Sequence, residues 1–183
     1  MREHLRGDIE ADLADVSARG WRRRALVVVR LVFAHRLQAV VLVRLAHAVG
    51  PRFALAGTAV KWLNTTLNGC EIAWEADIGK GLRLDHPVGV VIGPHVVIGD
   101  WGALMQGVTL GDNRGSPRLG DHVTIAPGAV VMGAIEIGSE ATIGANAVVT
   151  KSVPAGAVVF GNPATVRRHV ASAPAPSAPE PGP

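Results

Sequence analysis

The 183-residue chain has no tyrosine, only three phenylalanines and only four tryptophans. Large rings supply much of the buried area in a conventional irregular core, so their scarcity argues against one. The 48% of residues that are apolar must be largely aliphatic. Cysteine is nearly absent too. A lone Cys70 excludes an internal disulfide and a cysteine-rich metal site, which makes a reducing, cytoplasmic location the expectation. An apolar leader is missing as well, because Met1 to Glu10 is charged where a cleavable signal would need a greasy run. Charge of one sign is scarce: the formal net charge is +3, and much of the excess sits in Arg22, Arg23 and Arg24. No basic stripe interleaved with stacking aromatics runs through the chain, so nucleic acid is not an expected partner. The length allows one compact domain with an appendage.

What the chain has instead is glycine, 22 residues of it, and three zones of different pattern. Residues 1–69 read as an α-helical N-terminal region. Within it, Ala25 to Val49 is apolar enough in length to span a bilayer. Arg30, His35, Arg36, Arg44 and His47 interrupt it, however, and such groups are costly in hydrocarbon. Packed helices are therefore expected, with a peripheral membrane helix as the lesser alternative. Gly50-Pro51 should end that segment, Gly suiting a helix C-terminus, and a shorter helix should follow through Trp62 to Leu67. At the other end, ASAPAPSAPEPGP from Ala171 to Pro183 cannot offset its own ordering entropy and is expected to be disordered.

Between these zones the period is six. Aliphatic residues recur at Ile72, Ile78 and Leu84, then at Ile92, Ile98, Leu104 and Leu110. They continue at Leu119, Ile125, Val131, Ile137, Ile143 and Val149. Gly follows many of them. A helix of period 3.6 cannot hold this register, and a plain strand would alternate by two. Six-residue sides of a parallel β-helix account for it, with three sides making a coil of about eighteen residues. The register breaks twice: Leu84 to Ile92 is eight residues and carries Asp85-His86-Pro87, and Leu110 to Leu119 is nine and carries residues 112–118. Insertions in a solenoid must leave the coil on its surface, where function is expected.

His86, two residues after the inward Leu84, should point outward. His95 and His122 also lie off the inward positions, so exposure alone does not select it. Glu71 precedes it by fifteen residues, almost one coil, so a carboxylate could orient the imidazole as the third group of a triad does. A solvated surface histidine is the other reading of the same residues.

The stretch from Glu71 through Leu84-Asp85-His86-Pro87 to Gly93, with Gln106-Gly107-Val108-Thr109-Leu110-Gly111, resembles the serine O-acetyltransferases of the hexapeptide-repeat acyltransferase family. Ile143 to Pro154 and Gly161-Asn162-Pro163-Ala164 resemble the closing coil and terminal segment of the wider family. The resemblance implies a left-handed parallel β-helix over 70–163, preceded by the helical region and followed by a C-terminal segment, 164–183. It implies a homotrimer, with two paired trimers as the alternative, and transfer from acetyl-CoA to L-serine at sites between neighbouring subunits, a step toward cysteine. Acetyl-CoA would be a co-substrate; no tightly bound cofactor and no metal are implied. Matched by motif, His86 corresponds to the general base and Glu71 to its paired carboxylate. Asp85 corresponds to a carboxylate contacting serine, and the N–H of Gly111 or Asp112 to the oxyanion donor. Ala126, Pro127, Ala145 and Lys151 fall on the acetyl-CoA groove, and Arg167 and Arg168 could meet its phosphates.

The departures bear on the acceptor. Where serine acetyltransferases end a longer loop in Arg-His-Pro, this chain reads Gly115-Ser116-Pro117. A serine carboxylate would then fall to Arg114 or Arg118. The shortened loop resembles relatives that modify polysaccharide or natural-product hydroxyls, the nearest alternative; a non-catalytic solenoid serving assembly or membrane docking is the more distant one. The chain ends Glu180-Pro181-Gly182-Pro183, without the terminal Ile of the forms that bind cysteine synthase, so that complex is not expected.

Overall fold

The computed structural model describes residues 1–13, 21, 27, 29, 34–111 and 115–169. The start of the apolar segment at Ala25, the Arg22 to Arg24 run, Asp112, Arg114 and the tail from Ala171 lie outside the described residues. Among the described residues, the helices with both ends defined are α1 (Arg2–Asp12), α2 (His35–Val49) and α3 (Ala54–Asn68). Among the described residues no helix is long and apolar enough to cross a membrane. The segment α2 buries Leu37, Ala39, Val40, Val43 and Ala46 on one side, the packed helix its broken hydrophobicity suggested.

The second helix of the hairpin is longer than the sequence suggested, starting at Ala54 rather than near Trp62. Two glycines explain how. Gly50 stays right-handed at φ −56°, so it is not the left-handed cap that Gly at a helix end usually provides. It is small because a Cβ there would stand 2.5 Å from the Trp74 ring. A Cβ on Gly57, inside α3, would stand 2.6 Å from the Gly50 Cα, so this glycine permits close helix approach instead of ending the helix. The left-handed cap falls at Gly69, φ 67°, which turns α3 into the first strand.

The chain then winds as a three-faced parallel β-helix. The first face stacks β1 (Glu71–Ile72), β4 (Val91–Ile92), β7 (Thr109–Leu110), β10 (Val130–Val131) and β13 (Val148–Val149). The second stacks β2 (Asp77–Ile78), β5 (Val97–Ile98), β8 (Arg118–Leu119) and β11 (Glu136–Ile137). The third stacks β3 (Arg83–Asp85), β6 (Ala103–Met105), β9 (Thr124–Ile125), β12 (Thr142–Ile143) and β14 (Ala157–Phe160), on which β15 (Thr165–His169) closes antiparallel. All thirteen positions of the six-residue period are buried, none more than 3% exposed. Val96, Val108, Val123, Ala129 and Ala147, four residues after such positions, join them in the bore. The narrow interior admits aliphatic side chains in layers, which explains why rings are rare.

Candidate active site

One corner of the prism, where the third face turns into the first, is a continuous backbone ladder. Gly89 N–H donates to Gly69 O at 2.8 Å, Gly107 N–H to Val88 O at 3.0 Å, Gly128 N–H to Gln106 O at 2.9 Å and Asn146 N–H to Pro127 O at 2.9 Å. The first register break lies on this corner. Asp85 pairs with Met105 and Val91 with Thr109, so residues 86–90 oppose only 106–108 and two extra residues bulge outward. His86 stands on that bulge, exposed, at φ 57°. The left-handed conformation does not single it out, because His95, Trp101, His122, Glu140 and Asn146 share it. Its place on the insertion does.

Three other expected residues lie on the same corner: Ala126 and Pro127 in the third coil and Ala145 in the fourth. Glu71 opens β1, two residues beyond the Gly69 carbonyl that anchors the bulge. Its carboxylate is turned to α3, where Lys61 Nζ donates to Oε1 at 3.0 Å. The His86 ring makes no hydrogen bond among the described residues, so the expected dyad is brought to one corner without being joined.

Asp85 sits between two guanidiniums. Arg36 Nη2 of α2 is 3.0 Å from Oδ1, and Arg83 Nε is 2.9 Å from Oδ2. Arg36 also reaches Asp12 of α1, Nε to Oδ1 at 3.5 Å. The chain Asp12, Arg36, Asp85, Arg83 thus ties the helical region to the strand that carries the histidine. Neither Arg36, Arg83 nor Lys61 was marked by the sequence. For Arg83 a signal existed, since strand alternation puts it on the same side as Asp85; for Arg36 and Lys61 none did, because both come from helices.

The remaining candidates do not gather here. Gly111 N–H is already committed to Val131 O at 2.9 Å, so Gly111 is corrected from a free oxyanion donor to a rung of the ladder. Arg118 is exposed on the second face, between Val97 and Glu136. Lys151 lies exposed between β13 and the Val153 bridge to Ile137, on the corner joining the first and second faces. Arg167 and Arg168 are exposed on β15, with Arg168 opposite Val158. Cys70 is buried, and burial pushes its thiol up to about 11, which leaves no thiolate nucleophile near β1.

The family model for the bacterial transferase hexapeptide (six repeats) matches residues 116–151. A serine acetyltransferase of Helicobacter pylori is 41% identical over 134 residues, covering 70% of this chain and 78% of that protein. Among solved structures, a serine acetyltransferase in complex with CoA is 31% identical, covers 89% of this chain and 68% of that one, and superposes with a TM-score of 0.78. The Neisseria gonorrhoeae serine acetyltransferase in complex with serine is 30% identical over 90% of this chain and 68% of that one, also with a TM-score of 0.78. With its hexapeptide coils and this identity over most of a relative's length, the chain belongs to the serine acetyltransferase family of hexapeptide-repeat acyltransferases.

Proposed function

We propose that the protein transfers acetyl from acetyl-CoA to the hydroxyl of L-serine in the cytoplasm, giving O-acetylserine for cysteine biosynthesis. The observation that carries this reading is His86 on its two-residue bulge, with Asp85 beside it and Ala126, Pro127 and Ala145 in line along the same corner. An exposed imidazole on an irregular edge is free to meet two co-substrates, and the relatives solved with CoA and with serine support those two molecules.

His86 takes the serine hydroxyl proton as the oxygen attacks the thioester carbonyl. Backbone N–H groups stabilise the oxyanion, Asp112 remaining the candidate donor once Gly111 is spent on Val131. The tetrahedral intermediate collapses, the C–S bond breaks, and the imidazolium returns its proton to the departing CoA thiolate. Acetyl passes directly between the two molecules. Glu71 orients the imidazole and stabilises its protonated form through the carboxylate oxygen that Lys61, bonded to Oε1, does not hold.

Lys151 lies on a different corner from His86. One rigid prism cannot bring it to His86. A second copy can, if the site forms between neighbouring subunits of a homotrimer, with one subunit presenting His86 and the next presenting Lys151.

Thiol release from acetyl-CoA, measured with L-serine, homoserine and simple sugars, tests the reading. His86→Ala should lower turnover by about 10²- to 10⁴-fold, and full activity in that variant would remove His86 as the base. Transfer to sugars but not serine would favour the second reading, a polysaccharide or natural-product hydroxyl, which the compact Gly115-Ser116-Pro117 turn supports. Absence of CoA binding by calorimetry would favour a non-catalytic assembly module.

A further inference from the structure

Serine carries an ammonium and a carboxylate on one carbon, so a site that selects it needs a fixed anion and a fixed cation close together beside the base. On the reading above, Asp85 is the anion. The sequence pointed to Arg114 or Arg118 for the cation, yet Arg118 projects from another face of the prism. The strand β3 carries a nearer guanidinium. Its alternation buries Leu84 and puts Arg83 and Asp85 together on the outer surface, immediately before His86.

The two arginines on Asp85 have different standing. Arg36 is held from both sides, by Asp85 Oδ1 and by Asp12. Arg83 has Asp85 as its one ion-pair partner among the described residues, and its side chain is 42% exposed; the Nε of each arginine is buried without an aligned hydrogen bond, so the number of partners is what separates them. A partly exposed, misaligned ion pair is weakly held. An amino acid can therefore enter between its members, with the ammonium on Asp85 Oδ2 and the carboxylate on the Arg83 guanidinium, and one ion pair becomes two. Arg36 stays in place and keeps Asp85 aimed.

We propose that Arg83 is the acceptor-carboxylate-binding residue, and that the Asp85–Arg83 pair makes the acceptor an α-amino acid. The inference rests on serine being the acceptor. It is tested by measuring kcat/KM for L-serine and for L-serinamide, which keeps the hydroxyl and amine but lacks the carboxylate, in the full chain and in Arg83→Gln, Arg83→Lys and Arg118→Gln.

The unaltered chain should prefer serine over serinamide by roughly 10-fold or more, and Arg83→Gln should bring that ratio close to one by raising the serine KM about 10-fold. Its kcat and acetyl-CoA KM should stay within about 2-fold, because Arg83 touches neither the base nor the thioester. Arg83→Lys should give an intermediate ratio, since a lysine keeps the charge without the fork. Arg118→Gln should leave the ratio unchanged. If Arg83→Gln does not fold, an unaltered ratio in Arg83→Lys overturns the proposal. So does a ratio that survives in Arg83→Gln, or one that collapses in Arg118→Gln, while serine is still acetylated. An unaltered chain that acetylates no serine at all removes the functional reading itself.

Discussion

The β-helix and the helices in front of it are stabilised in opposite ways. Each coil of the β-helix repeats one contact, an aliphatic side chain stacked on its equivalents above and below, so no inward position is special. The helical region buries charge. Arg44 of α2 gives Nε to Asp8 Oδ2 at 2.8 Å and Nη2 to Asp8 Oδ1 at 2.9 Å. It also donates to the carbonyls of Ile78 at 2.6 Å and Gly79 at 2.5 Å and lies 3.4 Å from His4 Nδ1, and Asp8 also accepts Leu82 N–H at 2.9 Å. That cluster occurs once and fixes where the helices sit on the first coil. Repetition builds the rod, and a unique ionic lock sets what is docked at its end, including the Arg36 that holds Asp85.

The contrast is broken most forcefully at the lock. Arg44→Met leaves the Asp8 carboxylate buried with only the Leu82 N–H, and removing one partner of a buried pair costs about 3–5 kcal/mol. Urea unfolding should show that loss, and Asp8→Asn in the same chain should recover part of it. A single variant losing under about 1 kcal/mol would mean the pair is not effectively buried.

A smaller effect of the same kind concerns acid. His47 lines a cavity of ≈ 330 Å³ with His4, Arg44, Trp74 and Asp77. Burial, then the Arg44 charge, lower its pKa from 6.5 to about 4, against the opposing pull of the Ala73 backbone and Asp77. Between those two values the unfolded chain binds a proton that the folded one does not. The neutral form's contribution is therefore intact above 6.5 and lost as pH falls toward 4, on the order of 2 kcal/mol in all. His47→Gln should flatten that acid limb of the stability profile; an identical limb would assign it to other groups.

The repeated region should respond weakly and evenly. Ile98→Val and Ile125→Val, in different coils and on different faces, should each cost about 1 kcal/mol and agree within about 0.5 kcal/mol. Unequal costs would show that the coils are not equivalent.

The same contrast governs what could be read from the sequence. The thirteen inward positions were legible because a period needs only residue types, and the Asp85-His86 bulge was legible as a departure from that period. The Arg44–Asp8 pair joins residues thirty-six apart that share no period, so nothing marked it. The Gly50 approach read as a helix end, because the Trp74 ring that needs the space belongs to the first coil. The role of Gly111 failed for a related reason: whether a backbone N–H is free depends on the neighbouring coil.

The smallest expected effect lies at the corner between the second and third faces, where φ is positive at Gly81, Trp101, His122, Glu140 and Gly156 in successive coils. A side chain there pays for a left-handed backbone, roughly 1–2 kcal/mol in a non-glycine residue. Glycine avoids that cost but gives up about 0.5–1 kcal/mol through a freer unfolded chain. The Glu140 side chain is exposed, while its N–H donates to Asp121 O at 2.8 Å, a bond glycine would keep. Glu140→Gly should therefore stabilise the chain by about 0.5 kcal/mol, whereas Glu140→Val, β-branched at a positive φ, should destabilise it. In the helical region, by contrast, α1 and α2 meet the first coil through side chains that glycine cannot replace. A measurable loss in Glu140→Gly would mean that this corner, like the ionic lock, depends on a particular side chain.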